Sequence, residues 1–442
     1  MDWGKLPDLA AVTLLASAFA AVARRSQAPA SALWLTGWVM IALHFAAFIF
    51  APVPGLLGDI AAFIGIAALT WAGILFMWAS VPYRKNGSSR WMLAILLGTN
   101  TLYIGIISMG PAPSWALTLA ATLLGGLPLA VALLSVRRDN HPLRWTMVAI
   151  YCSLSVFLLA FQFRPRNGLD LALNAVLFTV YFSCCVHFWF AYNRATSGAF
   201  ITITGFLAWA AVFLVAGMSA FLPNLHLESE VWNLPKYVVA FGMILLLLEE
   251  QIEHNQYLAL HDELTGLPNR RLFQDRLASA LERARRTGTQ TALLLVDLDQ
   301  FKQVNDTLGH HVGDLLLKRV GEVFSSRVRR SDTVARTGGD EFSVILDEPT
   351  NREEAVNVGT SLIELLNEPF ELGDQAMRIG ASVGIAVFPE DASDAEGLCI
   401  AADLRMYDFK HGNGRPGDPT RPRMPGSLSP IEAQAGSRQA GD

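Results

Sequence analysis

The sequence has few cysteines and no excess of positive charge, and both absences restrict its function. Its four cysteines include no CxxC pair, so they predict neither a zinc site nor a disulfide framework. The formal net charge of −5 lacks the basic balance of a nucleic-acid-binding protein, and we expect no nucleic acid among its partners. Charged residues are also scarce before Leu248 and frequent after it. This uneven distribution predicts an integral membrane half followed by a soluble half.

The apolar half, residues 1–248, contains nine segments of about the length that a helix needs to cross the ~30 Å hydrocarbon core of a bilayer. They cover residues 9–23, 31–50, 56–80, 91–109, 114–136, 143–163, 169–190, 200–221 and about 231–248. The first segment is short, which leaves eight spans as an alternative. Basic residues such as Arg24, Arg84 and Arg137 lie in alternate connections. The charge bias therefore predicts that these connections, and all residues after Leu248, are cytoplasmic.

Several polar residues lie inside the predicted spans, where their burial is costly and often functional. A ligand or metal pocket formed by His44, Met40, His187 and Cys184 is one interpretation. The alternative is that each side chain bonds to a neighbouring helix.

Residues 249–261 contain no proline or glycine and predict a connector helix that continues from the last span. Leu245, Ile252 and Ala259 are seven residues apart, which is the spacing of a coiled-coil seam. Two heptads are few for a coiled coil, so a single amphipathic linker helix is the alternative.

The soluble half, residues 262–414, alternates helical and strand patterns and predicts an α/β domain with a central sheet flanked by helices. The predicted helices are 271–286, 311–328, 352–366 and 397–409, and the predicted strands are 291–296, a hairpin at 334–346, and 377–387. Residues 415–442 are rich in Pro, Gly, Ser and Arg, and we expect this tail to be disordered.

The predicted hairpin turn combines two glycines with two acids, Asp340 and Glu341. Gly338 and Gly339 suit a tight turn because glycine accepts positive backbone angles. Asp297 follows an apolar strand at its carboxyl end, where α/β sheets place ligands. Carboxylates together with phosphate oxygens suit Mg²⁺. The alternative is an ordinary loop with solvated acids.

Three polar residues follow Asp297 at short spacing. Lys302 could neutralise phosphate charge, and Asn305 with Asp314 could pair with a guanine edge, since adenine would leave the acid without a donor. A surface lysine and a helix cap at Asp314 are the alternative interpretations.

These residues belong to an ordered set of motifs that resembles the GGDEF diguanylate cyclase family. The set comprises Asp262-Glu263-Leu264-Thr265-Gly266-Leu267-Pro268-Asn269-Arg270, Asp297-Leu298-Asp299-Gln300-Phe301-Lys302, Asn305-Asp306, Gly309-His310, Gly313-Asp314, Arg336-Thr337-Gly338-Gly339-Asp340-Glu341-Phe342, Ala402-Asp403 and Met406-Tyr407. The resemblance covers about a third of the chain and does not extend into the apolar half. It implies a fold like that of nucleotidyl cyclases and polymerase palm domains.

The resemblance implies that two GTP molecules are joined into cyclic di-GMP, with release of pyrophosphate, between two subunits of a homodimer. Asp297, the Leu298 carbonyl and Asp340 would bind Mg²⁺ or Mn²⁺, and Glu341 would be the acid nearest the attacking 3′-hydroxyl. The implied GTP contacts are Phe301, Lys302, Asn305, Asp314, Gly338, Gly339 and Lys410. The implied location is the bacterial inner membrane, with the lipid bilayer as a partner and the catalytic domain in the cytoplasm.

The resemblance implies two further pairs of residues. Arg329 and Asp332 match the family's RxxD site, at which product cyclic di-GMP inhibits the enzyme, and Asp262 would pair with Arg336 to support the hairpin. Arg405 and Phe409 depart from the family pattern, which has small residues there, and Gly414 stands where a basic residue is usual. The alternative function is a catalytically weak receptor that binds GTP or cyclic di-GMP and signals by protein contact.

Overall fold

The structure is a computed structural model that describes residues 1–24, 30–81, 87–108, 113–134, 141–161, 168–192, 196–219, 229–349, 351–372 and 375–412. The predicted tail, 415–442, lies outside these residues, as does Gly414. The chain divides into two compact units, Met1–Glu253 and His254–Asp442.

The first unit is helical. After a short 3₁₀ helix at Trp3–Lys5 come α1 (Leu6–Ala23), α2 (Ser31–Phe50), α3 (Leu56–Ala79), α4 (Gly87–Ser108), α5 (Ser114–Leu134), α6 (Pro142–Phe161), α7 (Gly168–Ala191), α8 (Ser197–Ser219) and α9 (Ser229–Leu260). Within the described residues, eight of these helices, α1 to α8, are long and apolar enough to cross a membrane. The ninth predicted span lies inside α9, is not among the eight, and stays a prediction.

Aromatic side chains form the centre of this unit. Trp34 on α2 stacks on Phe188 of α7 with ring centroids 5.6 Å apart, and Phe188 contacts Phe206 of α8 at 5.2 Å. Trp38 packs against Phe76 of α3 at 5.2 Å. The helices therefore associate through large interlocking rings, which provide the close van der Waals packing that helix association in lipid requires.

The polar residues of the spans hydrogen-bond to backbone groups. His44 Nδ1 lies 2.9 Å from the Gly65 carbonyl, and Cys184 Sγ donates to the Gly73 carbonyl at 3.1 Å. His187 Nδ1 lies 2.8 Å from the carbonyl of Ser183 on its own helix. No group of three or more His, Cys, Asp or Glu that could hold a metal occurs among the described residues. The structure therefore favours helix packing over a metal pocket at these positions.

One continuous helix, α9, includes most of the predicted connector. It runs from the last apolar segment to Leu260 without interruption. Near its centre the Glu249 carboxylate accepts hydrogen bonds from the Gly198 amide at the start of α8, both at 3.2 Å. Leu248 and Ile252 are exposed, at 39% and 55%. Pairing of this helix with a second copy stays a prediction.

The second unit is the expected α/β domain. It comprises α10 (Arg270–Thr287), β1 (Thr291–Leu298), α11 (Phe301–Leu308), α12 (His310–Arg327), β2 (Thr333–Arg336), β3 (Glu341–Asp347), α13 (Arg352–Asn367), β4 (Phe370–Leu372), β5 (Gln375–Met377), β6 (Ala381–Phe388) and α14 (Ala395–Lys410). The central sheet has the order β2-β3-β1-β6, and every neighbouring pair is antiparallel.

Both faces of the sheet are covered by helices, as predicted. Alternate β1 side chains point to opposite faces: Leu294 belongs to a core with α12 and α13, which includes Phe324. Leu293 belongs to a second core with α10 and α14, which includes Leu277 and Leu398. The strands are therefore apolar throughout because neither face meets water.

Three details differ from the prediction. Helix α11 was not predicted, because it has only eight residues and buries only Phe301 and Val304. The predicted strand 377–387 is two strands, since β5 ends at Met377 and β6 begins at Ala381. The strands beside β1 are antiparallel, so the rule for parallel sheets does not explain the position of Asp297. The residue lies beside the hairpin turn because the end of β1 adjoins the start of β3.

Candidate functional site

The end of β1 and the start of β3 bring the predicted acids together. Asp297 is the register partner of Glu341. The Leu298 amide donates to the Asp340 carbonyl at 3.2 Å. These two contacts place Asp297, Leu298, Asp340 and Glu341 together at the edge of the sheet that is formed by the end of β1 and the start of β3.

The two glycines of the turn do not have the positive φ angles that we expected. The glycines with positive φ among the described residues do not include Gly338 or Gly339. A Cβ at Gly338 would lie 2.5 Å from the Glu341 carboxylate, whereas a Cβ at Gly339 would meet nothing within 4 Å. Glycine therefore leaves room for the Glu341 side chain at position 338, and an open stretch of backbone at position 339. Such bare backbone can approach a phosphate group.

Lys410 is the last residue of α14, the last helix of the domain, and its side chain extends to the acidic residues at the end of β1. Its Nζ donates to Asp297 Oδ1 at 2.6 Å, and the Asp297 side chain is only 14% exposed. This hydrogen bond raises the pKa of Lys410 despite partial burial, and the charges of Asp297, Asp299 and Asp340 raise it further. The ammonium group is therefore held within the field of three carboxylates.

Asp299 was not assigned to the site from the sequence. Burial raises its pKa, and the neighbouring charge of Asp297 adds to that effect, while a hydrogen bond from Ser382 opposes it. The Ser382 hydroxyl donates to Asp299 Oδ1 at 2.8 Å, and the Asp299 amide donates to the Gly380 carbonyl at 2.9 Å. The Asp-x-Asp spacing at the end of β1 was the signal that could have identified it.

The donor set at this edge fits a hard divalent cation. Two carboxylates, Asp297 and Asp340, and the carbonyl of Leu298 are oxygen donors of the kind that Mg²⁺ and Mn²⁺ prefer. Lys410 experiences the combined field of the acids, which shows that negative charge is concentrated here. The described residues contain no cluster of three or more acidic, His or Cys side chains arranged for a metal. The predicted set includes only two acidic side chains, so it does not depend on such a cluster.

The predicted guanine contacts lie where α11 meets α12. Gly309 separates the two helices with φ +86°. A Cβ at Gly313 would meet Asn305 Oδ1 at 2.0 Å and the Phe301 ring at 3.2 Å. Gly313 therefore lets Asn305 and Phe301 of α11 approach the backbone of α12 at the residue before Asp314. Lys302 is exposed on α11.

Arg329 and Asp332 both have partners within the domain. Asp332 accepts hydrogen bonds from the Arg329 amide at 2.9 Å and from the Asp347 amide at 3.1 Å. The Arg329 guanidinium contacts Glu354 Oε1 at 2.7 Å. Since Arg329 is 66% exposed, this ion pair can exchange with another acceptor at little cost. The inhibitory site stays a prediction.

Asp262 and Arg336 form the expected ion pair. Arg336 Nη1 donates to both carboxylate oxygens of Asp262, at 3.0 and 3.1 Å. Burial raises the pKa of Asp262, but hydrogen bonds from Thr265 and Arg336 outweigh it and lower the pKa overall. Arg336 Nη2 also donates to the Gly339 carbonyl at 2.8 Å. The first residues of the domain are thus tied directly to the hairpin turn.

Comparison with known proteins identifies this unit. A family model described as "Diguanylate cyclase, GGDEF domain" matches residues 259–415. The bifunctional diguanylate cyclase/cyclic di-GMP phosphodiesterase MucR of Pseudomonas aeruginosa is 46% identical over 153 residues, which are 35% of this chain and 22% of MucR. The diguanylate cyclase TpbB of the same species is 39% identical over 153 residues, which are 34% of this chain and 35% of TpbB.

Solved structures also match about a third of this chain. A solved structure of the isolated GGDEF domain of TpbB is 38% identical and covers 34% of this chain and 89% of that domain, with a TM-score of 0.34. This chain spans only 22% and 35% of the full lengths of MucR and TpbB. The part of this chain from residue 259 to residue 415 is a GGDEF domain.

Proposed function

We propose that the protein is a membrane-bound diguanylate cyclase that joins two GTP molecules into cyclic di-GMP. Each 3′-hydroxyl attacks the α-phosphorus of the other GTP and loses its proton. A new oxygen–phosphorus bond forms while the bond to the β-phosphate breaks, so two pyrophosphates leave. The observation that carries the proposal is the convergence of Asp297, Asp340 and Glu341 with Lys410 beside the open backbone of Gly339.

Each residue of the edge has a distinct part in this proposal. Asp297, Asp340 and the Leu298 carbonyl would hold Mg²⁺ or Mn²⁺, which supplies charge stabilisation on the phosphates when bound. Lys410 and Lys302 would contact the phosphates, and Gly338 and Gly339 would let the backbone approach them. Glu341 is the acid nearest the attacking hydroxyl, and accepts its proton. Lys410 lies close to the metal ligands, since its ammonium donates a hydrogen bond to Asp297 Oδ1.

The base would be read where α11 meets α12. Asn305 and Asp314 lie on either side of the Gly309 turn. Asp314 is an acceptor for the two donors on the guanine edge, and Phe301 forms part of the adjoining wall. Adenine offers no such pair of donors, so it would leave the carboxylate without partners at a cost of about 1–3 kcal/mol.

One domain provides half of the reaction site, so we propose a homodimer in which two such edges face each other. The exposed Leu248 and Ile252 on α9 would pair with their copies in a short coiled coil. Product cyclic di-GMP would bind at Arg329 and Asp332 and inhibit the enzyme.

The eight long apolar helices and the basic residues in alternate connections support a multi-pass protein of the bacterial inner membrane. We propose α9 as a ninth span, because with the basic connections in the cytoplasm an odd number of spans puts the GGDEF domain there as well, where GTP is available. The apolar half would act as the sensory region.

The experiment that tests this function uses the full-length protein in lipid nanodiscs, supplied with GTP and Mg²⁺. We expect cyclic di-GMP, measured by mass spectrometry, from the wild type, and a loss of about 100-fold or more for Asp340→Ala because one of the two carboxylates that would hold the metal ion is removed. Arg319→Ala, which removes an exposed ion pair to Glu322, is the matched control. A wild type that binds GTP or cyclic di-GMP without forming product would support the receptor function instead.

A further inference from the structure

Helix α14 lies directly on strand β6 because of one glycine. A Cβ at Gly384 would meet the Ala402 carbonyl at 2.0 Å and the Met406 amide at 2.5 Å. Both are backbone atoms of α14, which cannot move independently of the helix. The glycine thus sets the distance between helix and sheet, and Leu398 of α14 adds apolar packing to the core on this face.

Arg405 adds polar contacts to this apolar packing. Its Nη1 donates to the Ile385 carbonyl on β6 at 2.7 Å, and β6 is an edge strand of the central sheet. The two guanidinium arms also donate to both oxygens of Asp391, each at 2.7 Å. A two-armed contact of this kind fixes orientation as well as distance.

Asp391 is itself held firmly. Its Oδ2 accepts from the Val387 amide at 2.6 Å and contacts Arg352 at the start of α13 at 2.7 Å, and its side chain is 10% exposed. Burial raises the pKa of Asp391, but the hydrogen bonds from Arg405, the Val387 amide and Arg352 hold that pKa well below its usual range. The carboxylate is therefore a fixed, permanently charged anchor for Arg405.

Lys410 lies five residues after Arg405 on the same helix, about 7.5 Å along its axis. Lys410 ends α14, and its ammonium reaches Asp297 Oδ1 at 2.6 Å. Because a helix is rigid over this length, a shift or rotation at Arg405 moves Lys410 relative to the acids.

We infer that Arg405 is a positioning residue that holds Lys410 in place to contact the triphosphate, through the two-armed contact with Asp391 and the bond to Ile385. The inference rests on the proposed function, since it assigns Lys410 to the nucleotide phosphates. Arg405 itself touches no substrate in this scheme. Its effect must therefore disappear when Lys410 is removed.

The test is a double-mutant cycle on the full-length protein in nanodiscs. The variants are Arg405→Met, Lys410→Met and the double variant, with Arg319→Met as an exposed control on α12. Affinity is measured by calorimetry with 3′-deoxy-GTP and Mg²⁺, a ligand that lacks the attacking hydroxyl. KM and kcat for GTP are measured separately.

We expect each single variant to weaken binding of 3′-deoxy-GTP about tenfold, and the double variant to be within twofold of Lys410→Met. For Arg405→Met, KM should rise while kcat changes less. The inference would be overturned if Arg405→Met weakened binding of 3′-deoxy-GTP by the same factor in the wild type and in Lys410→Met. It would also be overturned if the Kd of Arg405→Met lay within twofold of that of the wild type. If Arg405→Met does not fold, Arg405→Lys, which keeps the charge but not the two-armed geometry, is judged by the same criteria.

The binding cycle separates this inference from the proposed function. If the effects of Arg405→Met and Lys410→Met on binding depended on each other but the wild type formed no cyclic di-GMP, the proposed cyclase activity would be contradicted. The role of Arg405 in positioning Lys410 would then stand. If the wild type formed cyclic di-GMP but Lys410→Met bound 3′-deoxy-GTP as tightly as the wild type, the cyclase activity would be supported and the role of Arg405 contradicted.

Discussion

Replacement of Gly384 by alanine should push α14 away from the sheet. The added Cβ would lie 2.0 Å from the Ala402 carbonyl, whereas ordinary contacts begin near 3.4 Å. The difference, 3.4 − 2.0, requires a movement of about 1.4 Å. Both obstructing atoms belong to the backbone, so rotation of a side chain cannot relieve the contact.

This movement should affect both stability and activity. Overpacking of this kind costs about 1–3 kcal/mol in the free energy of unfolding, which corresponds to roughly 2–12 °C in the melting temperature of a domain of this size. Displacement of Lys410 by more than 1 Å should lower kcat/KM for GTP by up to about tenfold, the loss expected when its ammonium group is removed. Differential scanning fluorimetry and a cyclic di-GMP assay on the full-length protein measure the two effects.

Gly359→Ala is the matched control for this substitution. Its Cβ would lie 2.9 Å from Ile385 Cδ1, the end of a flexible side chain, and 3.4 and 3.6 Å from side-chain atoms of Leu294 and Val383. No backbone atom obstructs it, and alanine favours the helix that contains it. We expect stability and turnover near those of the wild type. If Gly384→Ala also kept the wild-type melting temperature and kcat/KM, the close seating of α14 and its link to Lys410 would be wrong.

Three further predictions concern other parts of the domain. Asp314→Ala should reduce the preference for GTP over ATP in competition binding by about tenfold, since one guanine acceptor is lost; unchanged preference would remove Asp314 from the base site. Arg329→Ala should raise the cyclic di-GMP concentration needed for half-inhibition at least tenfold, and equal inhibition would contradict the RxxD site. Asp262→Asn should lower the free energy of unfolding by about 1–3 kcal/mol at pH 7. The folded pKa of Asp262 is lowered, so this difference should persist above the unfolded pKa of about 3.9 and shrink as pH falls through the folded value. A difference that grew on acidification would show that another group is responsible.

The acid-bearing hairpin could be predicted because its signals are local. Apolar strands on each side of Gly338-Gly339 and the two following acids occur within a few residues, and β2 and β3 pair as the pattern indicates. The reason for the glycines was wrong, however. Positive φ is a common use of glycine in turns, but here Gly338 provides space for Glu341. Space around a residue depends on neighbours whose positions a pattern does not specify.

Contacts between residues far apart in the sequence were harder to predict from the sequence. Lys410 and Asp297 are separated by 113 positions, and only the resemblance suggested that both serve one site. In the sequence, Arg405 is only a departure from the family pattern. Its contacts with Ile385 and Asp391 depend on how α14 crosses the sheet edge, which periodicity does not encode.

The sequence by itself determined which segments are long and apolar enough to span a bilayer and which alternate as helix and strand, because segment length and periodicity are properties of neighbouring residues. It also determined which acids, amides and lysines are available for chemistry. Only the tertiary structure decided that β1 lies between two antiparallel partners and that α14 rests on Gly384. Those arrangements depend on packing between distant segments, and that packing brings Lys410 to Asp297.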